Sequence, residues 1–300
     1  MHLHSHGSRH KGRLRAALAL VGSFLVVELA LAAWTGSVSL FADAVHMLVD
    51  AGGILLSLVA IWFAERPATS RKTYGYYRVE ILAALVNGVV LCIVALGILW
   101  HAWHRLWAPP DVPAAPLIFA AALGLGVNLA SLRLLHAGAR ESLNIRAAYL
   151  EVLGDALSSG AVLAAGATIA LTGWSVADPL AAVIIGLLIL PRTAALLTHA
   201  VNVLLEAVPP HLDVKEIEAA MAAVPGVRRV HDLHVWTLTS GREAMSAHFN
   251  VEPGTPADKL LNDLHVLLHA RFGIDHTTIQ VETEAGLVQI GPPPLRSPEG

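Results

Sequence analysis

Ser39-Leu40-Phe41-Ala42-Asp43-Ala44-Val45-His46-Met47-Leu48-Val49-Asp50 places two carboxylates and an imidazole inside an otherwise apolar run, 38–63. A run of that length can cross about 30 Å of hydrocarbon as a helix, for which roughly 20 residues suffice. An ionisable group at such depth costs on the order of 3 kcal/mol even on a lenient insertion scale, so Asp43, His46 and Asp50 need a compensating role. His46 and Asp50 are four residues apart and therefore project from one helical face, about one turn from each other. A second apolar run, 147–171, repeats the spacing with Glu151 and Asp155. The two faces together would offer one imidazole nitrogen and three carboxylates, the ligand number and type of a tetrahedral Zn²⁺ or similar divalent-metal site.

Outward from this stretch the chain stays apolar. Its 300 residues are 55% hydrophobic and 14% charged, with a mean hydropathy of +0.60, too apolar for one or two water-soluble domains. Windows long enough to span a bilayer fall at 14–34, 38–63, 79–100, 114–135, 147–171 and 176–197. Basic residues precede the first, as in a signal peptide, but its apolar length and Glu28 argue against cleavage. Lys and Arg collect before the first window, between the second and third, between the fourth and fifth, and at Arg192 near the end of the sixth, while the opposite side has only Arg105. That asymmetry puts both termini in the cytoplasm. Trp100, Trp103 and Trp107 read as an interfacial anchor at the outer end of the third window.

A net charge of -3 gives no basic surface for nucleic acid. The single cysteine, Cys92, excludes an internal disulfide or thiolate cluster. No Gly-rich phosphate loop of the GxxxxGK[ST] type occurs, so ATP is not expected to drive the chemistry.

After Val208-Pro209-Pro210 the composition becomes that of a soluble α/β unit. A helix with Val214, Ile217, Met221 and Val224 on one face stops at Pro225-Gly226. Strand patterns follow at 227–238 and 243–252, then a helix opened by Thr255-Pro256 with Asp258 completing a capping-box pattern, then a strand at 277–283. The expected domains are a cytoplasmic N-terminal segment 1–13 bearing His2, His4, His6 and His10, a six-helix transmembrane domain 14–207, a cytoplasmic αββαβ domain 208–285 of α+β class, and a disordered tail 286–300.

The segment around His46, together with Tyr74-Gly75-Tyr76-Tyr77-Arg78-Val79-Glu80, Leu153-Gly154-Asp155 and Val230-His231-Asp232-Leu233-His234-Val235-Trp236, resembles the cation diffusion facilitators, in the branch of cobalt-zinc-cadmium resistance proteins and zinc exporters. The resemblance covers nearly the whole chain and implies a homodimeric metal/proton antiporter of the bacterial inner membrane, not an enzyme. Six membrane helices and a metallochaperone-like cytoplasmic domain would go with it. It implies Zn²⁺ as cargo, with Cd²⁺ and Co²⁺ possible, and His46, Asp50, Glu151 and Asp155 as the transport site. A cytoplasmic, regulatory metal site is implied at His231, His248 and Glu282. Alternation supports the last two, since His248 and Glu282 share a polar phase, whereas His231 shares its phase with Leu233 and Val235.

One departure is expected to matter. Many zinc transporters of the family have His where this chain has Glu151, so the ligand set here carries -3 instead of -2 and a bound divalent ion leaves a negative excess. Tight coupling of metal uptake to proton release, and a broader metal range, are the expected results. Asp43 reads as solvated or capping, a possible accessory to the site; Glu28 and Glu80 have no matched partner; Asn87 and Asn128 read as interhelical glue. His265 and His269 read as a solvated face. A membrane metallohydrolase would use the same ligands but would need a base and a cleft, and no HExxH is present. A metal-sensing receptor would leave the paired membrane charges without a purpose.

Overall fold

The computed structural model describes residues 22–109, 111–136, 143–239 and 241–282. The chain divides into two compact units, one reaching Val201 and the other starting at Asn202. The first unit is helical: α1 (Gly22–Thr35), α2 (Val38–Ala64), α3 (Arg78–Trp107), α4 (Ala114–His136), α5 (Leu143–Thr172) and α6 (Ala177–Leu204). Four of them, α3, α4, α5 from Tyr149 onward and α6, are long and apolar enough to cross a membrane. With 27 residues, α2 is about 40 Å long.

Two elements outrun their sequence windows. The third and sixth windows were expected to end near Trp100 and Leu197, yet the helices continue to Trp107 and Leu204. Hydropathy marks where hydrocarbon ends, whereas the backbone hydrogen-bond ladder continues through polar residues such as His104 and Asn202 into the interface. Gly36 and Gly173 end α1 and α5 in the left-handed region, at φ 68° and 69°. Their N–H groups donate to the Ala32 and Ile169 carbonyls, as at other glycine C-caps.

The N-terminal end of α2 is fixed by a residue far away in sequence. Asp178, fully buried in the first turn of α6, accepts from Ser37 Oγ and Ser39 Oγ, each at 2.5 Å, and from the backbone N–H of Val38 at 2.8 Å and Ser39 at 3.2 Å. A carboxylate on the orphan N–H groups of a helix start satisfies them and complements the helix dipole.

Small residues set the helix spacing. A Cβ at Gly53 would stand 2.5 Å from the Asn87 side chain, so α2 and α3 meet there at backbone distance. At Gly124 it would meet Phe24 of α1 and Ser159 of α5, and at Gly186 it would meet Leu99 of α3. The core between these contacts runs through Leu40, Ala95, Leu117, Ala120, Val162, Ala182 and Ile185.

The second unit is α7 (Val214–Ala222), β1 (Val227–Thr239), β2 (Arg242–Val251), α8 (Ala257–Phe272) and β3 (His276–Glu282). The sheet order is β1-β2-β3; β1 and β2 pair antiparallel, and β2 and β3 pair parallel across the α8 crossover. Ile217, Met221, Met245, Phe249, Leu260, Leu264 and Leu268 form its core. Asp213 caps α7 through Lys215 N–H, at 2.9 Å. The capping box expected for α8 is not formed: Pro256 is the N-cap and no side-chain hydrogen bond closes it.

Candidate metal centres

The α2–α5 contact brings three of the four sequence-predicted transport residues together. His46, Asp50 and Asp155 each offer a ligand atom within 4.8 Å of the others. His46 Nε2 lies 3.4 Å from Asp50 Oδ2 and 3.8 Å from Asp155 Oδ1. His46 and Asp155 are 6% and 5% exposed, so water does not satisfy them. His46 Nδ1, Asp50 Oδ2 and Asp155 Oδ1 also have no hydrogen-bond partner among the described residues. Leaving such atoms unsatisfied costs about 1–3 kcal/mol each. A divalent ion bound by the two carboxylate oxygens and by His46 Nε2, the imidazole nitrogen that faces them, would offset the cost at Asp50 and Asp155.

Glu151 stands apart from this group. Its Oε1 faces the guanidinium of Arg192, with Arg192 Nη2 at 3.2 Å. In the sequence Arg192 counts only as a cytoplasmic-side charge near the end of the sixth window; in the structure it is an interior residue of α6, next to Pro191, and its side chain turns to α5.

In the middle of α1 and the second turn of α2 is a further pair of buried carboxylates. Asp43, expected to be solvated or capping, is neither: it is 1% exposed and accepts from Ser159 Oγ at 3.4 Å. Glu28, expected to lack a partner, is also 1% exposed and lies beside Asp43. Asn128 Nδ2 donates to Ser159 Oγ at 3.3 Å and thereby links α4 to α5, the interhelical role read from the sequence. The hydrogen-bonded network Asp43–Ser159–Asn128 thus crosses α2, α5 and α4, with Glu28 of α1 beside it.

In the second unit His231, His248 and Glu282 form another three-ligand group within 4.8 Å. Glu282 Oε2 is 3.0 Å from His231 Nε2, and Glu282 Oε1 is 3.1 Å from His248 Nδ1. Glu282 is buried at 8% exposure although its strand phase is polar. The ambiguity over His231 has a backbone cause. Asp232 adopts φ 52°, and the β1–β2 register slips between His231 and His234. An irregularity of this kind reverses the facing of the residues on one side of it. Val230 and Val235 are therefore both in the core while His231 stands opposite His248. Asp232, not singled out in the sequence, has Oδ2 3.8 Å from His248 Nε2 and Oδ1 3.1 Å from His234 Nε2.

The i, i+4 histidines of α8 do not form a pair. His265 Nδ1 bonds with Thr277 Oγ1 at 2.6 Å and His269 Nδ1 with Asp275 Oδ1 at 2.5 Å, on an exposed face. His2, His4, His6 and His10 lie outside the described residues.

Comparison with known proteins agrees with the two-unit division. Residues 14–205 match the model of the cation efflux transmembrane domain, and residues 209–284 that of the cation efflux protein cytoplasmic domain. The chain is 44% identical over 282 residues to the metal cation efflux system protein CzcD of Cupriavidus metallidurans, covering 94% of this chain and 89% of that one. It is 39% identical over 289 residues to the zinc transporter ZitB of Escherichia coli, covering 94% and 92%. It is 37% identical over 289 residues to the cadmium, cobalt and zinc/H(+)-K(+) antiporter of Bacillus subtilis, covering 95% and 92%. Among solved structures, the metal-bound C-terminal domain of the CzcD transporter from C. metallidurans is similar at 39% identity, covering 24% of this chain and 99% of that one, with a TM-score of 0.23. With family models over both units and full-length relatives well above 30% identity, the chain belongs to the cation efflux family, whose members are multi-pass membrane transporters and not enzymes.

Proposed function

We propose that this protein exports Zn²⁺ and related divalent ions, Cd²⁺ and Co²⁺ among them, from the cytoplasm across the bacterial inner membrane in exchange for protons, as a homodimer with both termini cytoplasmic. The observation that carries the reading is the group His46, Asp50 and Asp155, whose buried ligand atoms lack partners. Metal ligands must be deprotonated to bind, so loading from the near-neutral cytoplasm releases protons and reprotonation from the outer side expels the ion. Inward proton flow thereby drives metal outward. The names of the relatives, covering zinc, cadmium and cobalt, support the cargo, and the match to the family's cytoplasmic domain model supports two such units working together.

The residues at the second group fit a resident Zn²⁺, with two imidazoles and a carboxylate already converging. His231, His248 and Glu282 would hold it, and the ion would brace β1, β2 and β3 against one another and so regulate or stabilise the dimer. Everted membrane vesicles carrying the protein, given Zn²⁺ and an imposed pH gradient, test the transport reading. Uptake that follows the gradient and disappears with Asp155→Ala is the expected result. Uptake that survives Asp155→Ala removes the site assignment, and uptake indifferent to the gradient removes proton coupling.

A further inference from the structure

Three carboxylates and one neutral imidazole make a ligand set of charge -3, one more than a divalent ion neutralises. In a low-dielectric bundle such an excess is costly. The structure contains the missing charge. Arg192 reaches from α6 to α5 and pairs with Glu151, Nη2 to Oε1 at 3.2 Å. The guanidinium also passes over Gly154, three residues after Glu151 on α5: a Cβ built there would touch Arg192 Nη1 at 3.8 Å, an ordinary contact distance. The guanidinium is near enough to act electrostatically on all four of His46, Asp50, Glu151 and Asp155. Glu151 and Arg192 are 34% and 49% exposed, against 7% for the side chains of His46 and Asp155, so the pair lies at the rim of the buried group.

We propose that Arg192 is the charge-setting and positioning residue of the transport site, holding Glu151 by one carboxylate oxygen so that the set presents -2 to an arriving divalent ion. Glu151 Oε2 then remains available to the metal while Oε1 stays with the guanidinium. The arrangement favours release as well as capture, because a site at -2 binds a divalent ion without an attractive excess to overcome. It rests on the assignment of His46, Asp50, Glu151 and Asp155 as the transport site.

The test measures Zn²⁺ affinity and transport kinetics of the full chain in lipid, in a His231→Ala/His248→Ala background that silences the second group. Arg192→Gln leaves the set at -3 and is expected to tighten Zn²⁺ binding about tenfold or more, lowering KM and kcat together because release slows. Glu151→Gln leaves the guanidinium unmatched and is expected to weaken binding by a similar factor. Glu151→Gln/Arg192→Gln restores -2, and its affinity should return toward the parent; Arg192→Lys, which keeps the charge, should stay near the parent. A merely structural arginine would give weaker binding in Arg192→Gln with no return in the double variant, and that pattern, or an Arg192→Gln affinity equal to the parent, overturns the proposal while leaving the site intact. If Asp155→Ala in the same background still binds Zn²⁺ at parental affinity, the site itself is misplaced and the proposal falls with it.

Discussion

Asp155 is 5% exposed, and its Oδ1 has no hydrogen-bond donor among the described residues. A buried carboxylate kept in that state works against folding and for ligand binding, a conflict common at functional sites. Asp155→Asn removes a charge from a crowded set, so stability without metal should stay within about 1 kcal/mol of the parent. Saturating Zn²⁺ should nevertheless cease to stabilise this site, where the parent gains about 2.7 kcal/mol at a hundredfold excess over Kd. Thermal unfolding with and without Zn²⁺, in the His231→Ala/His248→Ala background, checks both halves; an undiminished Zn²⁺ increment would contradict the expectation. The His46, Asp50 and Asp155 group was legible in the sequence because apolar flanks make each charge conspicuous and i, i+4 spacing fixes its face. Arg192 was not, since an arginine toward the cytoplasmic end of a membrane helix has a ready reading as an interfacial charge. Its pairing with Glu151 depends on how α5 and α6 pack, which periodicity within either helix does not contain.

At the level of elements, α2 is held at one end by a cap and along its length by a close contact. Asp178→Ala would leave the N–H groups of Val38 and Ser39 without this acceptor and reduce the two buried hydroxyls to their bond with each other and Leu40 N–H. Hydrogen bonds to a charged group are worth about 1.5–3 kcal/mol each, and after partial relaxation a net loss of roughly 3 kcal/mol is expected in unfolding measurements. Because the cap sets where α2 starts, Zn²⁺ affinity should fall as well; unchanged stability and affinity would show that Ser37 and Ser39 suffice alone. Gly53→Ala tests the contact. Its Cβ would overlap Asn87, a clash expected to cost about 1–3 kcal/mol, and Asn87→Ala should recover part of that loss in a double-mutant cycle. Absence of coupling would mean that α2 and α3 separate freely. Element types and order in the second unit could be read from alternation and turn residues. The slip at Asp232 could not: a non-glycine residue at φ 52° leaves no mark in a hydrophobic pattern, and this was why His231 seemed out of phase.

Among the described residues two groups could hold a metal ion, one in each unit, and each unit has its own core. Six apolar windows against one mixed-composition tail made this division visible from hydropathy, because lipid and water select different side chains for the surface. Among the described residues each group draws its members from one unit, as His46, Asp50 and Asp155 precede Val201 and His231, His248 and Glu282 follow it. Occupancy should therefore be separable. The full chain in lipid is expected to bind two Zn²⁺ per protomer, and either Asp155→Ala or His231→Ala/His248→Ala should reduce that to one, while combining them abolishes specific binding. Both remaining isotherms should weaken as pH falls, since protons compete for the same imidazoles and carboxylates. Transport separates the roles: it should be lost with Asp155→Ala and retained, at altered Zn²⁺ dependence, with His231→Ala/His248→Ala. Calorimetric stoichiometry beside vesicle flux on the same preparations decides the matter. Loss of both ions from a substitution in one unit would show that the sites are obligately coupled, and flux lost with the cytoplasmic variant alone would make that group part of the transport path.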